Sequence, residues 1–166
     1  MTTTKEMTIN DRLVELGVLG NQDNKAIQRA GAEMIEAFFD TYQEGDNVDD
    51  ATTAQLLHYL TDIQVRDYAL GIIDKNNVFS ALNYLLDKAP TDTAFINAPA
   101  SLLAVYLYER GDSASAAVTL TNAEQHYSLG MLLRRVMGQG WPPAAFSDMR
   151  EQLHTNVKAG IFGEEE

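Results

Sequence analysis

The residues of this chain that could perform chemistry are three histidines, an acidic loop and a basic pair near a tryptophan. His58, His126 and His154 fall in different predicted segments. None forms the His-Glu-x-x-His pattern or the close pair by which zinc enzymes hold their metal. Glu151 and His154 have the spacing of one half of a di-iron site, but such a site needs a second Glu-x-x-His and further inward glutamates. We therefore expect no metal centre.

Signatures of nucleotide binding and of hydrolysis are also missing from the sequence. It contains no phosphate loop, no Gly-x-Gly-x-x-Gly after a strand and no Gly-x-Ser-x-Gly elbow. The absence of cysteine excludes thiol nucleophiles and disulfides. Serine, histidine and aspartate are present, but their spacing selects no catalytic triad. We expect a protein that is not an enzyme and has no catalytic residues and no cofactor.

One candidate partner-binding patch lies near the C-terminal end. Arg134 and Arg135 are the only adjacent basic pair, which could receive an acidic peptide or phosphate. Trp141 is the sole tryptophan and is followed by Pro142 and Pro143. A solvated helix face and a core anchor are the structural alternatives for these residues. Because aromatic residues and arginine are enriched where partners bind, we assign Arg134, Arg135 and Trp141 as the candidate partner-binding residues.

The charge is strongly negative, at −12, and the first fifty residues hold four Lys/Arg against eleven Asp/Glu. Such a field repels phosphate backbones, so we expect no direct nucleic-acid binding. It could instead attract a basic partner or imitate nucleic acid. Asp46, Asp49 and Asp50 resemble calcium ligands only superficially, because their register does not fit a calcium loop. Asp49 or Asp50 is better placed to cap the next helix.

We expect a cytoplasmic location without membrane contact. Residues 1–6 lack the basic stretch and apolar run of a secretory signal. The longest apolar runs, such as Leu102 to Leu107, are far shorter than the roughly 20 residues that cross a bilayer.

Helical periodicity runs through nearly the whole chain and predicts one all-α domain over residues 1–166. We expect residues 1–50 to form acidic N-terminal helices and residues 158–166 to form a flexible tail. The predicted helices span about 9–16, 23–44, 51–61, 64–74, 78–88, 99–110, 113–126, 128–139 and 143–157. The apolar stripe of the second helix is predicted to be Ile27, Ala30, Met34, Phe38 and Tyr42. Short connections favour antiparallel helical hairpins.

Residues 63–140 are similar to the tetratricopeptide repeat, a pair of stacked helices. In one unit Ala104 and Ala116 allow close helix approach, Leu107 and Leu120 fill the layer, and Gly111 permits the turn. A second, degenerate unit 35 residues earlier places Ala69, Ile72, Asn76, Ala81 and Leu85 at the corresponding positions. There Asn76 would supply the left-handed residue. The sequence thus predicts stacked hairpins, as a bundle or a short superhelix.

A wider set of residues resembles the C-terminal part of an actinobacterial family catalogued as a domain of unknown function. The residues that carry the resemblance are Arg66-Asp67, Ala98-Pro99-Ala100, Gly111-Asp112, Tyr127-Ser128-Leu129 and Gly140-Trp141-Pro142-Pro143. The family's N-terminal half is not matched to residues 1–60, and family members are usually about twice as long. The resemblance implies a shortened or divergent form, of the kind carried by a phage or mobile element, and transfers no catalytic residues.

Stacked hairpins without catalytic signatures favour a non-catalytic protein-interaction module, whose partner is a protein, a peptide or a second copy. The first alternative is an acidic inhibitor or nucleic-acid mimic that acts on a host protein. The second is an enzyme with an unrecognised site.

Overall fold

The computed structural model describes residues 8–20 and 24–163, which are all-helical, without a strand. Its α-helices are α1 Ile9–Leu16, α2 Lys25–Thr41, α3 Asp50–Tyr59, α4 Ile63–Gly71, α5 Val78–Lys88, α6 Asn97–Glu109, α7 Ser113–Leu120, α8 Ser128–Gly138 and α9 Pro143–Phe162. A 3₁₀ turn, Ala94–Ile96, precedes α6. The predicted start of the second helix at residue 23 and the end of the predicted tail, 164–166, lie outside the described residues.

Side-chain caps fix several helix starts. The Asp49 carboxylate accepts a hydrogen bond from the Thr52 amide at 2.7 Å, which confirms the predicted cap of α3. Asp62 and Asp112 cap α4 and α7 in the same way. Because the first amides of a helix have no partner within the helix, such oxygen acceptors set the residue at which it begins.

Helix α6 lies at the centre of the fold. Ala100, Leu102, Ala104 and Val105 are fully buried on it. It packs against α5, α7, α8 and α9, while α4 packs against α2 and α9. As a result α4, α6 and α9 are neighbours in the fold. Within the described ranges, no helix has both the length and the apolar character needed to cross a bilayer.

Two helix ends differ from their predicted positions. Helix α7 ends at Leu120 rather than near residue 126, because the Thr121 hydroxyl and the Asn122 amide bond to carbonyls of its last turn. Helix α9 continues to Phe162, so residues 158–162 are helical and not part of a flexible tail. Its end is anchored, since Ile161 is fully buried and its carbonyl accepts a hydrogen bond from Arg29.

The buried face of α2 is rotated relative to the predicted stripe. Ala30 is exposed, whereas Gln28 is buried and contacts the Asp62 carboxylate at 3.4 Å. The inward face also includes Gly31, which lies closely under the Tyr59 ring. A polar residue and a glycine therefore occupy positions that an apolar stripe does not identify.

The two turns compared in the repeat differ. Gly111 has a φ of +85°, as its place in the tight turn requires. The prediction that Asn76 is left-handed was wrong. In the part of the chain that the structure describes, the single non-glycine residue with a positive φ is Asp92. In the longer connection from α4 to α5, the Lys75 amide donates a hydrogen bond to the Ile72 carbonyl and the Val78 amide donates to the Lys75 carbonyl. These bonds turn the chain without a left-handed residue.

Candidate binding groove

Helices α4, α8 and α9 enclose an open groove of about 220 Å³. We call it the α4/α8/α9 groove; its lining residues are Arg66, Asp67, Leu70, Ser128, Leu129, Leu132, Arg150, Leu153 and Val157. Each helix contributes residues spaced by about one turn, which places them on one face. Leucine and valine form most of the wall, and two arginines lie within it.

Arg150 is the more deeply buried of these arginines, with 3% of its surface exposed. Its Nε and Nη2 donate to the two carboxylate oxygens of Glu109, on α6, at 2.6 and 2.8 Å. Burial alone would lower the pKa of Arg150, but the hydrogen bonds and charge of Glu109 raise it above its ordinary value. The guanidinium therefore stays charged, and this pair joins α9 to the central helix.

Arg66 also lines the groove and is likewise buried. Its Nε and Nη2 donate to one oxygen of Asp67 at 2.9 and 2.7 Å, and its Nη1 donates to the Ser128 hydroxyl at 2.8 Å. The guanidinium also lies over the Tyr127 ring, 5.3 Å from its centroid. Burial raises the pKa of Tyr127. Through these contacts Arg66 holds the start of α8 against α4.

His154 fastens α9 to α4 behind the groove. Its ring lies against Gly71 and 5.1 Å from the ring of Tyr68, and its Nδ1 is buried without a hydrogen-bond partner. Burial lowers the pKa of His154, and the positive charge of Lys158 adds to this effect. The neutral imidazole is thus the form that the α4–α9 contact favours.

The groove combines apolar walls with two arginines that are each paired with a carboxylate. Arg66 and Asp67 form one ion pair and Arg150 and Glu109 another, so their charges balance. Arg150 also donates from Nη2 to the Ser147 hydroxyl at 3.3 Å and from Nη1 to the Gly71 carbonyl at 3.5 Å, so four of its five N–H groups are engaged. Arg66 engages three and can still donate to a carbonyl. Apolar walls with a few fixed donors are typical of ligand sites.

Two other depressions fit this description less well. One, of about 350 Å³, is lined mainly by polar residues, including Asp40 and Lys75, whose side chains pair at 2.8 Å. The other, of about 670 Å³, is lined by residues of α9 between His154 and Phe162 and by Gly163, which follows the helix. That depression is larger, but a single helix end lines it, whereas three helices surround the α4/α8/α9 groove, which we therefore take as the candidate site.

The predicted partner-binding residues lie outside this groove. Arg134 donates to the carbonyls of Leu120 and Gln125, at 3.1 and 3.3 Å, and so caps the end of α7. Arg135 is exposed in the last turn of α8. Trp141 is 39% exposed, and its carbonyl accepts a hydrogen bond from the Tyr108 hydroxyl. Arg134 therefore contacts the end of α7, whereas Trp141 contacts α6. The role of Arg134, Arg135 and Trp141 in partner binding stays a prediction.

The histidines and the acidic loop also have structural contacts. His58 Nδ1 lies 2.7 Å from the Gly17 carbonyl, and His126 is exposed. Asp46 accepts a hydrogen bond from the Gln43 amide. Among the described residues, no group of three or more histidine, aspartate or glutamate side chains is placed to hold a metal ion.

Sequence reasoning missed Arg150 and its partner Glu109. A signal was available, because Phe146, Arg150, Leu153 and Val157 follow one helical stripe and Arg150 is the charged member of it. A charge within an apolar stripe indicates a buried ion pair, since an unpaired charge is rarely buried. The stripe does not reveal which carboxylate is the partner.

Comparison with known families gives one match. The model of the family described as "Domain of unknown function (DUF4192)" matches residues 3–144. The match includes the N-terminal helices, so the expectation that residues 1–60 depart from the family was wrong. No curated protein and no solved structure matches the chain.

Proposed function

The chain belongs to the DUF4192 family, and since that family is described only as a domain of unknown function, we propose from its geometry that the chain is a non-catalytic protein-interaction module. The α4/α8/α9 groove is the observation that carries this proposal. It would bind a short, largely apolar segment of another protein. The bound segment would insert an apolar side chain between the two arginines.

The groove's chemistry supports a peptide over a small anion. Because Asp67 and Glu109 neutralise Arg66 and Arg150, the site offers no excess positive charge. It offers directed N–H donors beside leucine side chains, which suit the carbonyls and side chains of an extended peptide. Leu153 is 47% exposed at the rim, where burial by a partner would be favourable.

Stacked hairpins of the tetratricopeptide kind are part of the same proposal. Ala104 and Ala116 are fully buried, as close approach of α6 and α7 requires, and Leu120 lies in the layer between neighbouring helices. Ala69 on α4 and Ala81 on α5 are also buried, but α4 packs mainly against α2 and α9 and α5 against α6, so the close hairpin is that of α6 and α7. Proteins built from such pairs use their helical surfaces to bind peptides and proteins.

A peptide-display selection with the purified chain tests this proposal, followed by mapping of enriched peptides on the ¹⁵N-labelled protein by NMR. We expect enriched peptides to share an apolar anchor and to shift amide resonances of α4, α8 and α9. Leu153→Glu should weaken binding about tenfold or more, because it places a charge where an apolar side chain is to be buried. Val118→Glu is the matched control, since Val118 is 69% exposed on α7.

Two results would overturn the proposal. One is a selection that enriches no peptide above background. The other is a set of binding peptides whose affinity falls equally in Leu153→Glu and Val118→Glu, with both variants folded by circular dichroism.

A further inference from the structure

A second surface lies on α5 and α6, formed by Phe79, Tyr106 and Arg110. The rings of Phe79 and Tyr106 lie with centroids 5.4 Å apart. The Arg110 guanidinium lies over the Tyr106 ring, 3.9 Å from its centroid. Phe79 is 45% exposed and Arg110 is exposed as well. We call these three residues the aromatic–arginine patch.

Arg110 is a free cation in an acidic chain. Its two acidic neighbours are engaged elsewhere, Glu109 with Arg150 and Asp112 with the Ser115 amide. In the described ranges, no carboxylate lies within 4.0 Å of the Arg110 guanidinium.

The Tyr106 ring holds this guanidinium in a defined orientation. Stacking covers one face of the exposed guanidinium, whose N–H groups can donate two parallel hydrogen bonds to a carboxylate. Phe79 offers an exposed ring beside it, which an apolar side chain can cover. Pre-orientation of the arginine lowers the entropy lost on binding.

From this geometry we propose that the aromatic–arginine patch binds a segment of a partner protein in which Asp or Glu stands next to an apolar residue. The carboxylate pairs with Arg110 and the apolar side chain covers Phe79. This surface is separate from the α4/α8/α9 groove and does not rest on it. Stacked bases could use the same rings, but the charge of −12 opposes a phosphate backbone.

Acetylated octapeptides containing Glu-Leu or Glu-Phe, with Gln-substituted counterparts, test the proposal. We expect the Glu peptides to shift the Arg110 side-chain Nε resonance and the Phe79 and Tyr106 amides. Affinity should fall about tenfold or more for the Gln peptides and for Arg110→Gln, since each removes a charge-assisted hydrogen bond. Lys158→Gln, which removes an exposed cation from α9, should change affinity less than about twofold.

A second variant separates binding from folding. Arg110→Lys keeps a cation at the end of α6 but loses the planar edge, so it should remain as stable as wild type and still bind several times more weakly. Failure of all Glu peptides to shift Arg110, or equal losses in Arg110→Gln and Lys158→Gln, would overturn the proposal. Tighter binding of a single-stranded DNA decamer at the same residues would also overturn it. The Leu153→Glu variant should bind these peptides normally, which distinguishes this patch from the groove.

Discussion

The imidazole of His154 occupies the space that a side chain on Gly71 would fill. A Cβ built on Gly71 would lie 2.0 Å from Nδ1 and 2.4 Å from Cγ of His154, far inside contact distance. Helix α9 can therefore approach α4 at this point only because residue 71 has no side chain. The contact lies behind the α4/α8/α9 groove and sets how closely two of its walls meet.

Gly71→Ala should lower the free energy of unfolding by about 1–3 kcal/mol, the usual cost of forcing an extra group into a packed contact. The added methyl must displace the ring or move α9 away from α4. Urea unfolding of both proteins measures the difference.

The matched control is Gly160→Ala, on α9, where a Cβ meets nothing within 4 Å. That change should raise stability by about 0.5–1 kcal/mol, because alanine favours the helix interior. Removing the ring in Gly71→Ala/His154→Ala should recover part of the loss. Equal effects of Gly71→Ala and Gly160→Ala would contradict the close contact.

Stability should fall as His154 becomes protonated. Its pKa is lowered in the folded protein from an ordinary value of 6.5, so the unfolded chain binds the proton more readily. The stabilisation is complete above pH 6.5 and is lost as the pH falls through the lower folded pKa. Urea unfolding of wild type and His154→Gln across this range measures the effect.

The surroundings of His154 determine the size of this effect. Burial disfavours the charged ring, as do Lys158 and Arg150, whereas Glu36 and Asp74 favour it. We expect the wild type to lose more stability than His154→Gln between pH 7 and 5, a range set by the ordinary histidine pKa. Parallel pH profiles for the two proteins would show that the ring does not titrate in this contact.

The Arg150–Glu109 pair should behave as one unit. Arg150→Met or Glu109→Gln should each cost about 3–5 kcal/mol, because each leaves a buried charge or donor without its partner. Arg150→Met/Glu109→Gln should lose less than the sum of the single losses. Asp148→Asn, an exposed change on the same helix, is the control, and a double-mutant cycle by urea unfolding measures the coupling.

Local signals were sufficient to predict the elements but not their partners. The predicted bounds of α1 and α5, Ile9–Leu16 and Val78–Lys88, match the structure. In α1 the start follows from the Thr8 capping box, and Gly17 ends the helix. The partner of Arg150 is 41 residues away along the chain, and nothing in helical periodicity selects Glu109 for it.

The groove escaped prediction for the same reason. Arg66 and Asp67 are neighbours in the sequence, but the Ser128 hydroxyl that binds Arg66 comes from α8, 62 residues later. Periodicity gives the inward face of each helix and leaves open which three faces meet. The inward position of Gln28 was likewise hidden, because its contact, Asp62, belongs to another helix start.

The turn after α6 contains a left-handed residue, Gly111, and the turn after α4 does not. We therefore expect substitutions in the two turns to change stability differently. Gly111→Ala should cost about 1–2 kcal/mol, because an L side chain is strained at a φ of +85°. Asn76→Gly should give no gain, since residue 76 is not left-handed and glycine only adds freedom to the unfolded chain. Thermal and urea unfolding of the two variants measure these changes. A stabilising Asn76→Gly would mean that the first turn does use a left-handed residue, and that the two helix pairs are closer copies than their connections indicate.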